Sequence, residues 1–139
     1  MKKAMMSFAI ALICSCTFAK TPPKAVSEAF TKKFPTALKV SWGKEGPKEW
    51  EAEFTLNGEK ISANFSLDGT WLETEQEIKA SDLPKAVLSN VKIKFANWKI
   101  AEADKTETAK HGTIYEVDLK KGLKTKSLAF KANGAEVKE

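Results

Sequence analysis

The sequence predicts an α+β fold. Two tandem repeats, each a helix followed by four antiparallel strands, join in one sheet that carries both helices on one face. Three observations lead there: the chain repeats itself, helical periodicity heads each repeat, and strict alternation broken by hairpin turns fills the remainder. Pro23-Lys24-Ala25-Val26 recurs as Pro84-Lys85-Ala86-Val87, and Phe34-Pro35 matches Phe95-Ala96, both at an offset of 61. The offset then becomes 65. Trp50-Glu51-Ala52-Glu53-Phe54 lies over Tyr115-Glu116-Val117-Asp118-Leu119, Ala63-Asn64-Phe65 over Leu128-Ala129-Phe130, and Asp68-Gly69 over Asn133-Gly134. A four-residue insertion around residues 106–111 accounts for the change. Two units are too few for a solenoid. The expectation is one pseudo-symmetric domain over 20–139, with repeats at about 22–78 and 82–139.

The first nineteen residues read as a secretory leader. Lys2 and Lys3 precede an apolar run over residues 4–16, too short to span a bilayer, and Thr17-Phe18-Ala19 places small residues at −3 and −1. Cleavage near Ala19 sends the chain to the periplasm or the medium. The alternative is a lipoprotein acylated at Cys16 within Ile13-Cys14-Ser15-Cys16.

Each repeat opens with an amphipathic helix of about three turns. Thr21 caps the first with Pro22 at its first position, and Val26, Ala29, Phe30 and Phe34 form one stripe. Ser81 or Asp82 caps the second, whose stripe is Val87, Leu88, Val91 and Phe95. Segments 37–44 and 97–105 supply a strand after each helix, containing Trp42 and Trp98, both read as core residues.

Alternation then dominates. Trp50, Ala52, Phe54 and Leu56 share one strand face, and Glu49, Glu51, Glu53 and Thr55 the other. Asn57-Gly58 is a type I′ hairpin signal that sets Phe54 opposite Ile61, Ala52 opposite Ala63 and Trp50 opposite Phe65. Asp68-Gly69, as a two-residue turn, sets Phe65 opposite Leu72 and Ser66 opposite Trp71. In the second repeat a turn on Gly122-Leu123 puts Val117 opposite Leu128 and Tyr115 opposite Phe130, and Asn133-Gly134 sets Phe130 opposite Val137. The helices cover one face, and the other is polar.

Composition excludes several functions. All 23 basic residues are lysine. Without arginine, the usual bidentate reader of phosphate and guanine, nucleic-acid recognition is not expected. Two of the lysines lie in the leader, which leaves 21 against 18 acids, a net charge of +3. Cys14 and Cys16 are the only cysteines, so the exported chain has neither disulfide nor thiolate chemistry. His111 stands alone in the inserted segment and makes no zinc site. No nucleophile elbow or phosphate-binding glycine loop is present. The expectation is a non-enzymatic chain with no cofactor, no metal and no membrane span after export.

Candidate binding residues come from the register. The polar face of the first repeat carries Glu49, Glu51, Glu53, Ser62, Asn64, Ser66, Trp71, Glu73 and Glu75. A large aromatic among carboxylates is a candidate anchor, so the predicted site is Trp71 with Glu49, Glu51, Glu53, Asn64 and Glu73. The bland alternatives are that Trp71 is covered by the rest of the fold and that the glutamates pair with lysines across strands. A calcium site is not expected, because carboxylates two apart on a strand are roughly 7 Å apart and do not converge.

One set of residues carries a family resemblance: Phe34-Pro35-Thr36-Ala37, Val40-Ser41-Trp42, Trp50-Glu51-Ala52-Glu53-Phe54, Asn57-Gly58, Ala63-Asn64-Phe65, Asp68-Gly69-Thr70-Trp71 and Leu83-Pro84-Lys85-Ala86-Val87. The chain resembles, over 22–139, the exported PepSY-like, β-lactamase-inhibitor-like proteins of Bacteroidetes-type bacteria. The resemblance implies a fold like that of the β-lactamase inhibitory protein, with a continuous curved sheet and helices on one side. It implies no catalytic residues. The second repeat departs from the first, with Tyr115 for Trp50 and Ala135 in the place of Trp71.

Two functions follow. The first is a binding module for an envelope protein, with inhibition of an envelope enzyme as one form of it, acting through the open sheet face. The second is a small-ligand or ion-binding periplasmic protein with a pocket at the repeat junction, lined by Trp42 and Trp98. A homodimer through the sheet face is a third outcome.

Overall fold

The computed structural model describes residues 20–138. The leader, Cys14, Cys16 and the expected cleavage after Ala19 lie outside the described residues.

The element order is α1 (Lys24–Lys33), β1 (Leu38–Glu45), β2 (Glu49–Leu56), β3 (Glu59–Ser66), β4 (Trp71–Glu77), a 3₁₀ turn (Ala80–Asp82), α2 (Lys85–Lys94), β5 (Lys99–Thr108), β6 (Gly112–Lys121) and β7 (Lys124–Phe130). The strands form one antiparallel sheet in sequential order, β1 to β7. Among the described residues an eighth strand does not form. In its place stands a single bridge between Phe130 and Glu136. The β5–β6 hairpin has strands of ten residues each against eight for β1 and β2.

Both helices start on proline rather than on the expected caps. Pro23 is extended at φ −54° and ψ 150°, and its carbonyl accepts from the backbone N–H groups of Val26 and Ser27. Pro84 does the same for Val87 and Leu88. Pro22, preceding a proline, is biased toward extended backbone. Thr21 therefore stands too far upstream to reach the first helical turn. Ser81 and Asp82 are used up in the 3₁₀ turn, and the buried Leu83 separates them from the helix.

Each helix seals its own core on the same side of the sheet. Under α1 lie Val26, Phe30, Trp50, Ala52, Phe54, Ala63 and Phe65. Phe30 is the hub, with its ring centroid 5.0 Å from Phe54, 5.1 Å from Trp42 and 6.2 Å from Phe65, all edge-on, a geometry the ring quadrupoles favour. Under α2 lie Leu83, Val87, Val91, Ala103, Val117, Leu119, Leu128 and Phe130. Register carries one face across the middle of the sheet: Ala63 opposes Thr74, Thr74 opposes Glu107, and Glu107 opposes Thr113, two residues before Tyr115.

The β2–β3 register matches expectation at Phe54↔Ile61, Ala52↔Ala63 and Trp50↔Phe65, as does β6–β7 at Val117↔Leu128 and Tyr115↔Phe130. The β3–β4 turn differs. Ser66 and Thr70 bracket a three-residue loop: the Ser66 N–H donates to the Thr70 carbonyl, and the Gly69 N–H to the Ser66 carbonyl. The Asp68 carboxylate accepts from the Thr70 N–H at 2.9 Å and from the Ser66 hydroxyl. Gly69 has φ +86°. This is a type I turn closed by a left-handed glycine. Phe65 therefore opposes Trp71, not Leu72. A bulge then restores Asn64↔Glu73 and Ser62↔Glu75. The loop before residue 135 repeats the pattern: the Lys131 N–H donates to the Ala135 carbonyl, and the Ala135 N–H donates to Asn133 Oδ1 at 3.0 Å. Accordingly Phe130 opposes Glu136, not Val137.

Candidate functional site

The helix-free face of the sheet is an acidic surface. The register lines up Glu51, Asn64, Glu73 and Thr108 in one row, Glu53, Ser62, Glu75 and Thr106 in the next, then Glu77, Asp104 and Glu116, then Glu102 and Asp118. Glu49 and Glu45 oppose one another at the β1–β2 end. Strand alternation puts them there, because the intervening residues, such as Ala52, Ala103 and Val117, are taken by the cores.

This face is packed as well as charged. Asn64 and Thr106 are buried although they lie on it. The Asn64 amide donates to Glu73 Oε1 at 3.4 Å, and the Thr106 hydroxyl donates to Glu116 Oε2 at 2.7 Å. These bonds hold two of the carboxylates in place at the centre of the sheet.

The electrostatics are one-sided. Burial, and then the neighbouring charges of Glu116, Glu49, Glu45 and Glu51, push Glu73 up to about 7. Burial, followed by Glu73, Glu116, Asp104 and Glu51, pushes Glu75 up to about 8. Asp104 rises to about 7 through burial and then Glu102, Glu116, Glu77 and Asp118. Glu51 and Glu102 rise for the same two reasons, with a Ser62 hydrogen bond opposing the rise at Glu51. The cross-strand Glu–Lys pairing expected of such a face is not what forms. Among the described residues the ion pairs are Lys24–Glu28 and Lys94–Glu136, both involving helix lysines. Nor, among the described residues, does any group of three or more carboxylate or histidine side chains gather into an arrangement that could hold a metal ion.

Of the predicted binding residues, Glu49, Glu51, Glu53, Asn64 and Glu73 share this face. Trp71 does not. The three-residue loop turns it to the helix side, where it packs against the core under α1. Its indole N–H donates to Thr74 Oγ1 at 2.9 Å, and the Lys33 ammonium lies over its ring. Glu136, and not Ala135, opposes Phe130 as Trp71 opposes Phe65. Sequence reasoning missed Asp104, Glu116, Glu102 and Asp118. Their signal lies in the alternation of acidic and apolar residues over 100–104 and 114–119.

Trp42 and Trp98, read as the lining of a pocket at the repeat junction, pack against different cores. Trp42 belongs to the core under α1, and Trp98 precedes β5 and stacks edge-on to Phe95 at 6.3 Å. A groove of about 410 Å³ instead lies between α2 and the start of β5. No helix among the described residues is long and apolar enough to cross a membrane.

Comparison with known proteins agrees with this architecture. A BLIP-like protein of Bacteroides fragilis is 25% identical, with 86% of this chain and 85% of that one covered at a TM-score of 0.73. A protein of Bacteroides eggerthii described as "putative periplasmic" shares the fold at 19% identity, with 86% and 88% covered and a TM-score of 0.75. No curated protein matches the chain. Residues 48–135 match the family described as "putative beta-lactamase-inhibitor-like, PepSY-like", and the chain belongs to that family.

Proposed function

We propose that the protein is an exported, non-enzymatic binding module built by duplication of a helix-and-strand unit, and that it takes a positively charged surface of an envelope protein on the helix-free face of its sheet. The observation that carries this reading is the acidic face itself, whose carboxylates are raised in pKa first by burial and then by one another's charge, with no lysine among the described residues paired to them. Like charges held together in a half-buried place store repulsion that a cationic partner relieves. Glu73, Glu75 and Asp104 form the centre, Glu49, Glu51 and Glu53 the flank, and Asn64 orients Glu73. A symmetric dimer through this face would set carboxylates against carboxylates, so the cationic partner is favoured over a second copy. Family membership supports a binding role over catalysis, and inhibition of a bound enzyme is one form the role takes.

The test is capture of partners from an envelope extract by the purified protein and by a Glu73→Gln/Glu75→Gln/Asp104→Asn variant. A basic partner lost on neutralisation supports the reading. A partner held equally by both proteins defeats it.

A further inference from the structure

The two cores are filled unequally. Under α1, Phe30 meets Trp42, whose strand partner is Ala52. Under α2 the corresponding places are taken by Val91 and by Ala103, whose strand partner is Val117. Two aromatic rings are thus replaced by a valine and an alanine. Beside Val91 a groove of about 410 Å³ runs between α2 and the start of β5, within the about 300–1,000 Å³ typical of small-molecule sites. Leu88, Val91, Phe95, Trp98 and Ile100 make its walls. Among the described residues, Lys92 and Lys99 are its only charged lining residues and no carboxylate lines it, and Lys126 lies 5.3 Å from the Phe95 ring.

We propose that this groove binds the aliphatic chain of a fatty-acid carboxylate, with the ammonium groups of Lys92 and Lys99 taking its head. An apolar wall with cations at its rim complements a molecule that is apolar along its length and anionic at one end. The site is on the opposite side of the sheet from the acidic face and is independent of it.

The test is calorimetric titration of the purified protein with dodecanoate below its micellar concentration, with tryptophan emission followed in parallel. The expected result is saturable 1:1 binding. A Lys92→Gln/Lys99→Gln variant, changed only at exposed residues, should bind at least tenfold more weakly. Val91→Phe, which copies Phe30, should abolish binding while circular dichroism stays unchanged. Absence of saturation, or full affinity in the double-lysine variant, would overturn the assignment whatever Val91→Phe does. Saturation by an acidic, leucine-rich peptide in preference to dodecanoate would also overturn it and assign the groove to a protein.

Discussion

The ammonium of Lys33 lies 3.8 Å from the centroid of the Trp71 ring. This contact ties the last turn of α1 to the first residue of β4, across the loop that turns Trp71 away from the acidic face. At the corresponding place in the second half, Lys94 reaches Glu136 at 3.4 Å. One lysine position at the end of each helix thus finds two different partners, an aromatic face and a carboxylate. Both partners stand opposite a core phenylalanine, Phe65 and Phe130.

Trp71 is therefore expected to act in stability. Trp71→Ala removes a half-buried indole from the α1 core and strands the Thr74 hydroxyl, at a cost of about 2–4 kcal/mol. Lys33→Ala removes its cation–π contacts with Trp71 and the more distant Phe34, each worth at most about 0.5–1 kcal/mol at a solvated site. Urea unfolding of both variants measures the difference. Under conditions where Trp71→Ala remains folded, partner capture should match the parent. Selective loss of capture by a folded Trp71→Ala protein would return the indole to the binding surface.

The face of Trp71 was the part of the fold least legible in the sequence. Residues 71 and 72 are both large and apolar, so alternation accepts either of them opposite Phe65. The choice is made by polar groups at the turn, the Asp68 carboxylate accepting from Thr70 and glycine supplying a left-handed residue one place later. The β2–β3 hairpin held no such ambiguity, because apolar and polar residues alternate strictly from Trp50 to Leu56 and from Ile61 to Phe65. The acidic face was half legible for a related reason. Its carboxylates alternate visibly on β2, but the pairing of β4 with β5 that brings Glu75 and Asp104 together spans the second helix, and no local signal sets that register.

Two glycines are expected to tolerate no side chain. A Cβ at Gly69 would stand 2.5 Å from the Ala25 carbonyl oxygen, and one at Gly134 would stand 2.8 Å from that of Ala86. Both also have positive φ, at 86° and 82°. The obstacles are helix backbone, which cannot yield without moving α1 or α2. Gly69→Ala and Gly134→Ala should each cost at least about 2 kcal/mol. Gly58→Ala is the control: it shares the positive φ but has nothing within 4 Å, so it should cost only about 1 kcal/mol. Thermal unfolding of the three variants checks the order.

Stability should fall as pH rises through neutrality. Glu75 has an ordinary pKa of 4.5 and a folded value near 8, and Asp104 goes from 3.8 to about 7. Between those limits the folded chain holds protons that the unfolded chain has released. Their stabilising contribution is complete below about pH 4 and is lost progressively up to about pH 8. Asp68 runs the other way, held down to about 2 by the Ser66 hydroxyl and the Thr70 amide, so it acts only below this window. Glu75→Gln should be more stable than the parent at pH 8 by on the order of 1–3 kcal/mol, allowing for solvent screening. It should also show a flatter melting temperature between pH 5 and 8. A variant with the parent's full pH slope would show that Glu75 is not the group responsible.

The same carboxylates give partner binding a pH and salt signature. A cationic partner is attracted to ionised Glu73, Glu75 and Asp104, and at pH 6 these are largely protonated by their raised values of about 7, 8 and 7. Affinity should therefore rise between pH 6 and 8.5 and protons should be released on binding, which calorimetry in buffers of different ionisation enthalpy detects. Stability and affinity thus run in opposite directions over one pH range, because the repulsion that weakens the free fold is what the partner neutralises. Association should slow as ionic strength rises, since the Debye length falls from about 30 Å at 0.01 M to about 10 Å at 0.1 M. Neutralising the three carboxylates should flatten both dependences together. Affinity that rises toward acid pH would mean that the partner recognises the protonated face through hydrogen bonds, and the charge argument would fall.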